Sequence, residues 1–203
     1  MTNSIEKQVL TKIKKAKRGT LFFVQSFVNF SNPKAVSKAL ERLVAKKEIE
    51  RVSTGLYVRS EIDKVIGKII PSIEDIAKAI AKRDRARIVP TGVFALNILE
   101  LSTQVPLNVI YLTDGAARKV KIDNRTITFK KATPKNVAAV GEISRLAIQA
   151  LRTIGKENVT EDEIKKIQQW LSKEKKNRLQ HDLQFAPVWI RDIMQQVLKS
   201  IDL

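Results

Sequence analysis

Apolar residues recur at helical spacing over Ser4–Lys17, where Ile5, Val9, Ile13 and Ala16 share one face. Gly19 is placed to end that helix. Thr20-Leu21-Phe22 then reads as a short strand, and Phe23 to Phe30 as a short second helix, with Phe22, Phe23, Phe27, Val28 and Phe30 expected in the core. A third helix follows from Val36, Ala39, Leu40, Leu43 and Val44, with Ser31 or Asn32 as its N-cap and Pro33 in the first turn, where a missing N–H costs nothing. Its other face carries Lys34, Ser37, Lys38, Glu41 and Arg42. Ile49–Val52 and Leu56–Arg59 alternate on either side of Ser53-Thr54-Gly55, the pattern of a hairpin with glycine in the turn.

Glu61 to Ile70 reads as a connector. Ser72 with Asp75 forms a capping-box pattern for a helix that buries Ile73, Ile76, Ala77 and Ile80 and runs out in Lys82-Arg83-Asp84-Arg85-Ala86-Arg87. Ile88-Val89 suggests a brief strand, and Val93–Leu101 a helix. Leu107–Leu112, Lys119–Ile122 and Thr126–Phe129 read as three strands of a small antiparallel sheet. From Pro134 the pattern is helical: Val137–Ile154, a helix capped by Thr160 with Glu163 and reaching about Lys176, an irregular or partly helical stretch Asn177–Ala186, and a last helix from Pro187 to Ile201. The expected fold class is therefore α+β: an N-terminal winged helix-turn-helix at 1–60, then an α+β domain at 61–203 with a small antiparallel sheet and a helical C-terminal part.

Charge sharpens this picture. The chain carries 38 Lys+Arg against 21 Asp+Glu, a net of +17. Residues 1–60 hold 13 basic against 4 acidic side chains (+9), residues 61–135 hold 14 against 8 (+6), and residues 136–203 hold 11 against 9 (+2). The excess is concentrated where the winged helix is expected, as a polyanion partner requires. A helix-turn-helix protein lays its second long helix in the DNA major groove. On that basis Lys34, Lys38 and Arg42 are expected to line the groove-facing side, with Asn32 and Ser37 near base edges, and Arg51, Thr54 and Arg59 to set the wing on the phosphate backbone. The run Lys82, Arg83, Arg85 and Arg87 offers a second anion contact, weighed against a solvated helix end.

The chemistry of an enzyme is thin. Cysteine is absent and His181 is the one histidine, which argues against thiolate or histidine metal sites and against a disulfide framework. No glycine-rich phosphate loop and no Gly-x-Ser-x-Gly occur. Asp114, Asp123 and Glu142 are the loose carboxylate candidates for a nucleic-acid-modifying enzyme, and the first two sit in turns that favour aspartate for backbone reasons. No enzyme activity, cofactor or metal is expected. No apolar run approaches the ~18 residues of a membrane span. The polar start Met1–Glu6 lacks a signal-peptide core, so a cytoplasmic protein without a membrane partner is expected.

One resemblance extends over nearly the whole chain. Val89-Pro90-Thr91-Gly92, Ala95-Leu96-Asn97, Leu101-Ser102-Thr103-Gln104-Val105-Pro106, Tyr111-Leu112-Thr113-Asp114-Gly115 and Arg125-Thr126-Ile127-Thr128-Phe129-Lys130 resemble the AbiEi family of abortive-infection antitoxins. The segment from Ser31 to Arg59 is similar to that family's winged helix, and Ala186-Pro187-Val188-Trp189 to its entry into the last helix. The resemblance implies a type IV antitoxin that binds double-stranded operator DNA and represses its own operon. It also implies a C-terminal domain needed to counteract a nucleotidyltransferase-like toxin, without a stable complex being required. The highly charged stretch Glu157–Asp182 does not match that family residue by residue. A one-component regulator sensing a ligand through its C-terminal domain is the alternative, and it calls for a large apolar pocket there.

Overall fold

A computed structural model describes residues 4–65 and 67–201. Part of the polar start Met1–Glu6, and Ile66 of the expected connector, lie outside the described residues. The fold is α+β, and the chain divides into two compact units, Met1–Ala79 with Lys121–Asp123 and Ile80–Val120 with Asn124–Leu203. The first unit thus continues well past the expected boundary at Ser60.

The first unit begins with α1 (Ile5–Lys15), capped by Ser4, whose side chain accepts from the Lys7 amide. Strand β1 (Leu21–Phe23) follows. The expected second helix is only a 3-10 turn, Val24–Phe27, and Val28 is 54% exposed rather than in the core. Helix α2 (Pro33–Ala45) starts at Asn32, whose side-chain oxygen accepts from the Ala35 amide at 2.9 Å. Then come β2 (Glu50–Ser53) and β3 (Leu56–Val58), and the sheet order is β1-β3-β2, all antiparallel. Val9, Ile13, Phe27, Val36, Leu40 and Leu43 are fully buried between the helices and this sheet. Each such side chain contributes roughly 1.5–3 kcal/mol of transfer free energy. The supposed connector folds as a second hairpin, β4 (Glu61–Asp63) with β5 (Gly67–Ile69), and Lys68 of β5 pairs with Glu50. Helix α3 (Ile73–Asp84) opens with the reciprocal Ser72–Asp75 box.

The second unit holds β6 (Ile88–Thr91), α4 (Val93–Ile98), β7 (Asn108–Thr113), β9 (Arg125–Lys131) and the first three residues of β8 (Arg118–Ile122), whose Lys121 and Ile122 are counted with the first unit. Their sheet has the order β6-β7-β9-β8. The expected all-antiparallel set of three is corrected here, because β7 and β9 pair in parallel. That register sets Val109 beside Ile127 and Tyr111 beside Phe129, four of the best-buried residues of the sheet. Strand β8, with Lys119 and Lys121 exposed, is left at the edge, where lysine discourages further strand pairing.

The helical part comprises α5 (Glu142–Ile154), α6 (Glu161–Leu171), α7 (Lys176–Asp182) and α8 (Val188–Ile201). Ala147, Leu151, Ile167, Leu171, Leu179, Ile190 and Met194 form its core. Val137–Ile154 is not one continuous helix: a 3-10 turn, Pro134–Val137, precedes Gly141, which is the N-cap of α5. The break has a cause. Buried Asp182 accepts from the amides of Val140 (2.9 Å) and Gly141 (2.7 Å), and Glu174 accepts from Ile143 (2.8 Å). Two carboxylates thereby fill the positive end of α5 and satisfy amides that no carbonyl reaches. A Cβ on Gly141 would come within 2.6 Å of a Glu174 oxygen and 2.9 Å of an Asp182 oxygen, so only glycine fits.

Candidate nucleic-acid interface

In α2 the four buried residues Val36, Ala39, Leu40 and Leu43 fix the helix rotation. With 3.6 residues per turn, Lys34, Lys38 and Arg42 then fall on successive turns of the outward side. All three are exposed, and none forms an ion pair among the described residues. Ser37 is half-buried on the flank of that face. Glu41 lies within it and sets one carboxylate among the cations. Asn32 is exposed, but its side-chain oxygen is committed to the cap, so only its amide nitrogen is left to reach outward.

The β2–β3 hairpin turns through Thr54 and Gly55, and Gly55 has φ 71°, a conformation glycine adopts without strain. Arg51 is exposed on β2 opposite Tyr57 of β3, and Thr54 is exposed at the tip. Tyr57 is 3% exposed, and burial pushes its hydroxyl above the usual range; Arg51 draws it down and Glu41 pushes it up again. One tyrosine therefore sits between the hairpin's cation and the carboxylate of α2. Arg59 is the departure. It lies beyond the inner end of β3, half-buried, where Nη1 donates to the Lys14 carbonyl at 3.4 Å and its own carbonyl accepts from Gly19. It serves the open C-terminal turn of α1 and is not part of the hairpin tip.

Lysine placement elsewhere in this unit is mixed. Lys14 pairs with Glu48 at 3.2 Å and Lys46 with Glu6. Lys12 donates to the Ser26 carbonyl, with its ammonium 5.4 Å from the Phe27 ring centre and 5.5 Å from that of Phe30. These lysines fasten α1 to its neighbours. Their partners lie 14 to 40 residues away in the chain, so the sequence alone does not show the pairing.

In the second unit the Lys82–Arg87 run is largely neutralised. Arg83 donates to Asp84 at 2.7 Å, and Arg118 of β8 shares the same carboxylate. Arg118 also stacks over Phe129, 5.4 Å from its ring centre. Burial lowers the pKa of both arginines from the ordinary range, and Arg83 lowers that of Arg118 further. Arg87 holds Asp114 twice, through its amide (2.7 Å) and through Nε (2.8 Å). Burial pushes the Asp114 carboxyl up, but the bonds and charge of Arg87 outweigh it and leave the pKa below the usual value. Arg85 closes α3 with φ 54°, a C-terminal position usually given to glycine. The picture of four loose cations is thus corrected: only the side chains of Lys82 and Arg85 are exposed without a hydrogen bond or ion pair among the described residues.

The loose carboxylates each have a local role. Asp114 is held by Arg87, Asp123 is in the β8–β9 turn with φ 49°, and Glu142 touches Arg145 at 3.4 Å in the first turn of α5. Among the described residues no group of three or more His, Asp or Glu is placed to hold a metal ion. Nor is any helix among them long and apolar enough to cross a membrane.

Residues 8–179 match DUF6088, described as a family of unknown function. The chain belongs to that family. The DUF6088 match takes in the cationic face of α2, the β2–β3 hairpin and the four-stranded sheet together. No curated protein matches the sequence.

Proposed function

We propose that the first unit is a winged helix that binds duplex DNA, with α2 in the major groove and the β2–β3 hairpin as the wing. The observation that carries this reading is the outward side of α2: Lys34, Lys38 and Arg42 on successive turns, exposed and without ion-pair partners among the described residues. The order α1, β1, 3-10 turn, α2, β2, β3 and the antiparallel β1-β3-β2 sheet support it. So does the excess of 13 basic over 4 acidic side chains in residues 1–60. Unpaired cations facing outward release counterions on meeting phosphates, and that release drives binding. Arg51 and Thr54 take the wing contacts, and Arg59 drops out of them. Asn32 and Ser37 keep a lesser part, through one amide group and one flanking hydroxyl.

On the strength of the resemblance in the β6–β9 region, in the segment from Ser31 to Arg59 and at the entry to α8, the protein as a whole is proposed to be a cytoplasmic antitoxin of the AbiEi type. It would repress its own operon and offset a nucleotidyltransferase-like toxin by means of its second unit. Two assays on the full chain test the two halves separately. Fluorescence anisotropy on the upstream promoter fragment should show salt-dependent binding tighter than to unrelated duplex. Co-expression with the product of a neighbouring nucleotidyltransferase-like gene should restore growth. Promoter binding without rescue leaves a DNA-binding regulator, and rescue without promoter binding removes the winged-helix half.

A further inference from the structure

A small pocket on the second unit has no part in the reading above. One wall is a single side of α5, where Arg145, Ile148, Gln149 and Arg152 follow at helical spacing. Lys135 and Asn136 from the 3-10 turn before α5 form a second wall, and Phe185 a third. Its enclosed part is about 10 Å³, close to the room of a single oxygen-sized group.

The polar groups lining it are under-used. The Nε of Arg145 is buried and makes no hydrogen bond. The Arg145 guanidinium meets one carboxylate, the 68%-exposed Glu142, at 3.4 Å. Gln149 is 4% exposed, and its Oε1 accepts from Thr91 at 3.5 Å, at the limit of a hydrogen bond. Among the described residues Arg152 reaches only neutral oxygens, Asn136 Oδ1 and the Phe185 carbonyl, both at 3.3 Å. Burial lowers its pKa from the ordinary range. The Lys135 ammonium stands exposed on the rim without a partner among the described residues. Three cations therefore surround one small recess, with a single loosely held carboxylate beside them among the described residues.

We infer that this pocket binds the phosphate group of a small phosphate monoester, one oxygen entering the recess and the others lying on Arg145, Arg152 and Lys135. Guanidinium groups match phosphate geometry, and three cations against one carboxylate favour a dianion over a monoanion. The recess is too small for more than one oxygen, so the rest of the ligand lies outward, against Phe185.

Isothermal titration of the full chain at fixed ionic strength, with inorganic phosphate and with adenosine monophosphate, tests the inference. Saturable one-site binding is expected. Arg152→Gln should weaken it about tenfold, the worth of one charge-assisted hydrogen bond. Lys135→Gln, at an exposed and unpartnered position where folding is not at stake, should weaken it about threefold. Replacing Lys34 and Lys38 together should leave it unchanged. Tighter binding of adenosine monophosphate than of inorganic phosphate identifies an ester as the ligand, and equal binding identifies free phosphate; both support the site. Absence of saturable binding, or binding insensitive to Lys135→Gln and Arg152→Gln alike, overturns it. A third titration with duplex DNA adds one more overturning result: if only the duplex binds, and Arg152→Gln weakens that binding, the pocket is a nucleic-acid contact.

Discussion

Two basic segments of this chain look alike in composition and differ in state. In α2, Lys34, Lys38 and Arg42 project from a helix whose rotation is fixed by its buried side, and they find no acidic partner among the described residues. In the run from Lys82 to Arg87, Arg83 and Arg87 are held by Asp84 and Asp114, and Arg118 joins the first pair from β8. The difference lies in the carboxylates. Asp114 stands 27 residues from Arg87 in sequence and meets it only because the turn after β7 comes back beside the start of β6. Cations already matched by the fold add to stability, whereas unmatched ones are available to a ligand.

The largest effect is expected in α2. Replacing Lys34, Lys38 and Arg42 with alanine should reduce promoter affinity on the order of a thousandfold, about tenfold for the one charge-assisted hydrogen bond lost at each residue. The slope of log affinity against log salt should become shallower by about three, one unit for each phosphate that no longer meets a cation. An unaltered slope would remove the contrast between the two segments. Asp84→Ala comes next, because it leaves Arg83 and half-buried Arg118 facing each other. It should lower unfolding stability by about 1–2 kcal/mol in a denaturant titration, with promoter binding intact.

Asp114→Asn should cost about 1 kcal/mol or less near pH 7, since Arg87 is more than half exposed and solvent screens the pair. Its pH dependence is more telling than its size. The folded-state pKa of Asp114 lies below the ordinary carboxylate value. Its contribution is therefore fully present above about pH 4 and lost as pH falls through the lowered pKa. The stability gap between wild type and Asp114→Asn should hold steady from about pH 7 to 5 and close below about pH 4; a gap that persists at about pH 2 would mean the ion pair is not its source. Smallest of all, Lys82→Gln with Arg85→Gln should change stability by less than ~0.5 kcal/mol. A loss of promoter binding in that double variant would show that the second segment also meets phosphate.

Local signals in the sequence located most elements. Alternation and helical spacing pointed to α1, α2, α6, α8 and the β2–β3 hairpin, and both capping boxes form as their residue patterns imply. Misplaced features depend on partners far along the chain. The 3-10 turn at Val24–Phe27 has too few residues to show a period. The parallel β7–β9 pairing rests on which strand can best cover Val109 and Tyr111, a choice invisible strand by strand. The β4–β5 hairpin exposes Ile62 (70%) and Val65 (92%), so no inward-facing alternation announces it. At the candidate interface the sequence placed Lys34, Lys38 and Arg42 on one face. It offered Asn32 both as a cap, which the structure bears out, and as a base contact, and it missed the tie of Arg59 to α1, because a cap and an open carbonyl compete for the same polar groups as a ligand does.

The carboxylate-filled start of α5 also bears on the order in which the chain is made. Gly141 is synthesised 41 residues before Asp182, and Ile143 31 residues before Glu174. At ordinary translation speeds that is a wait of roughly two to eight seconds. Throughout it the amides at the head of α5 have no carboxylate to meet, and Ala147 and Leu151 lack Ile167, Leu171 and Leu179 to pack on. The helical half of the molecule therefore closes late and together, once α7 has left the ribosome. A product that stops short of Asp182 keeps α5 uncapped, its apolar side open to proteases and chaperones.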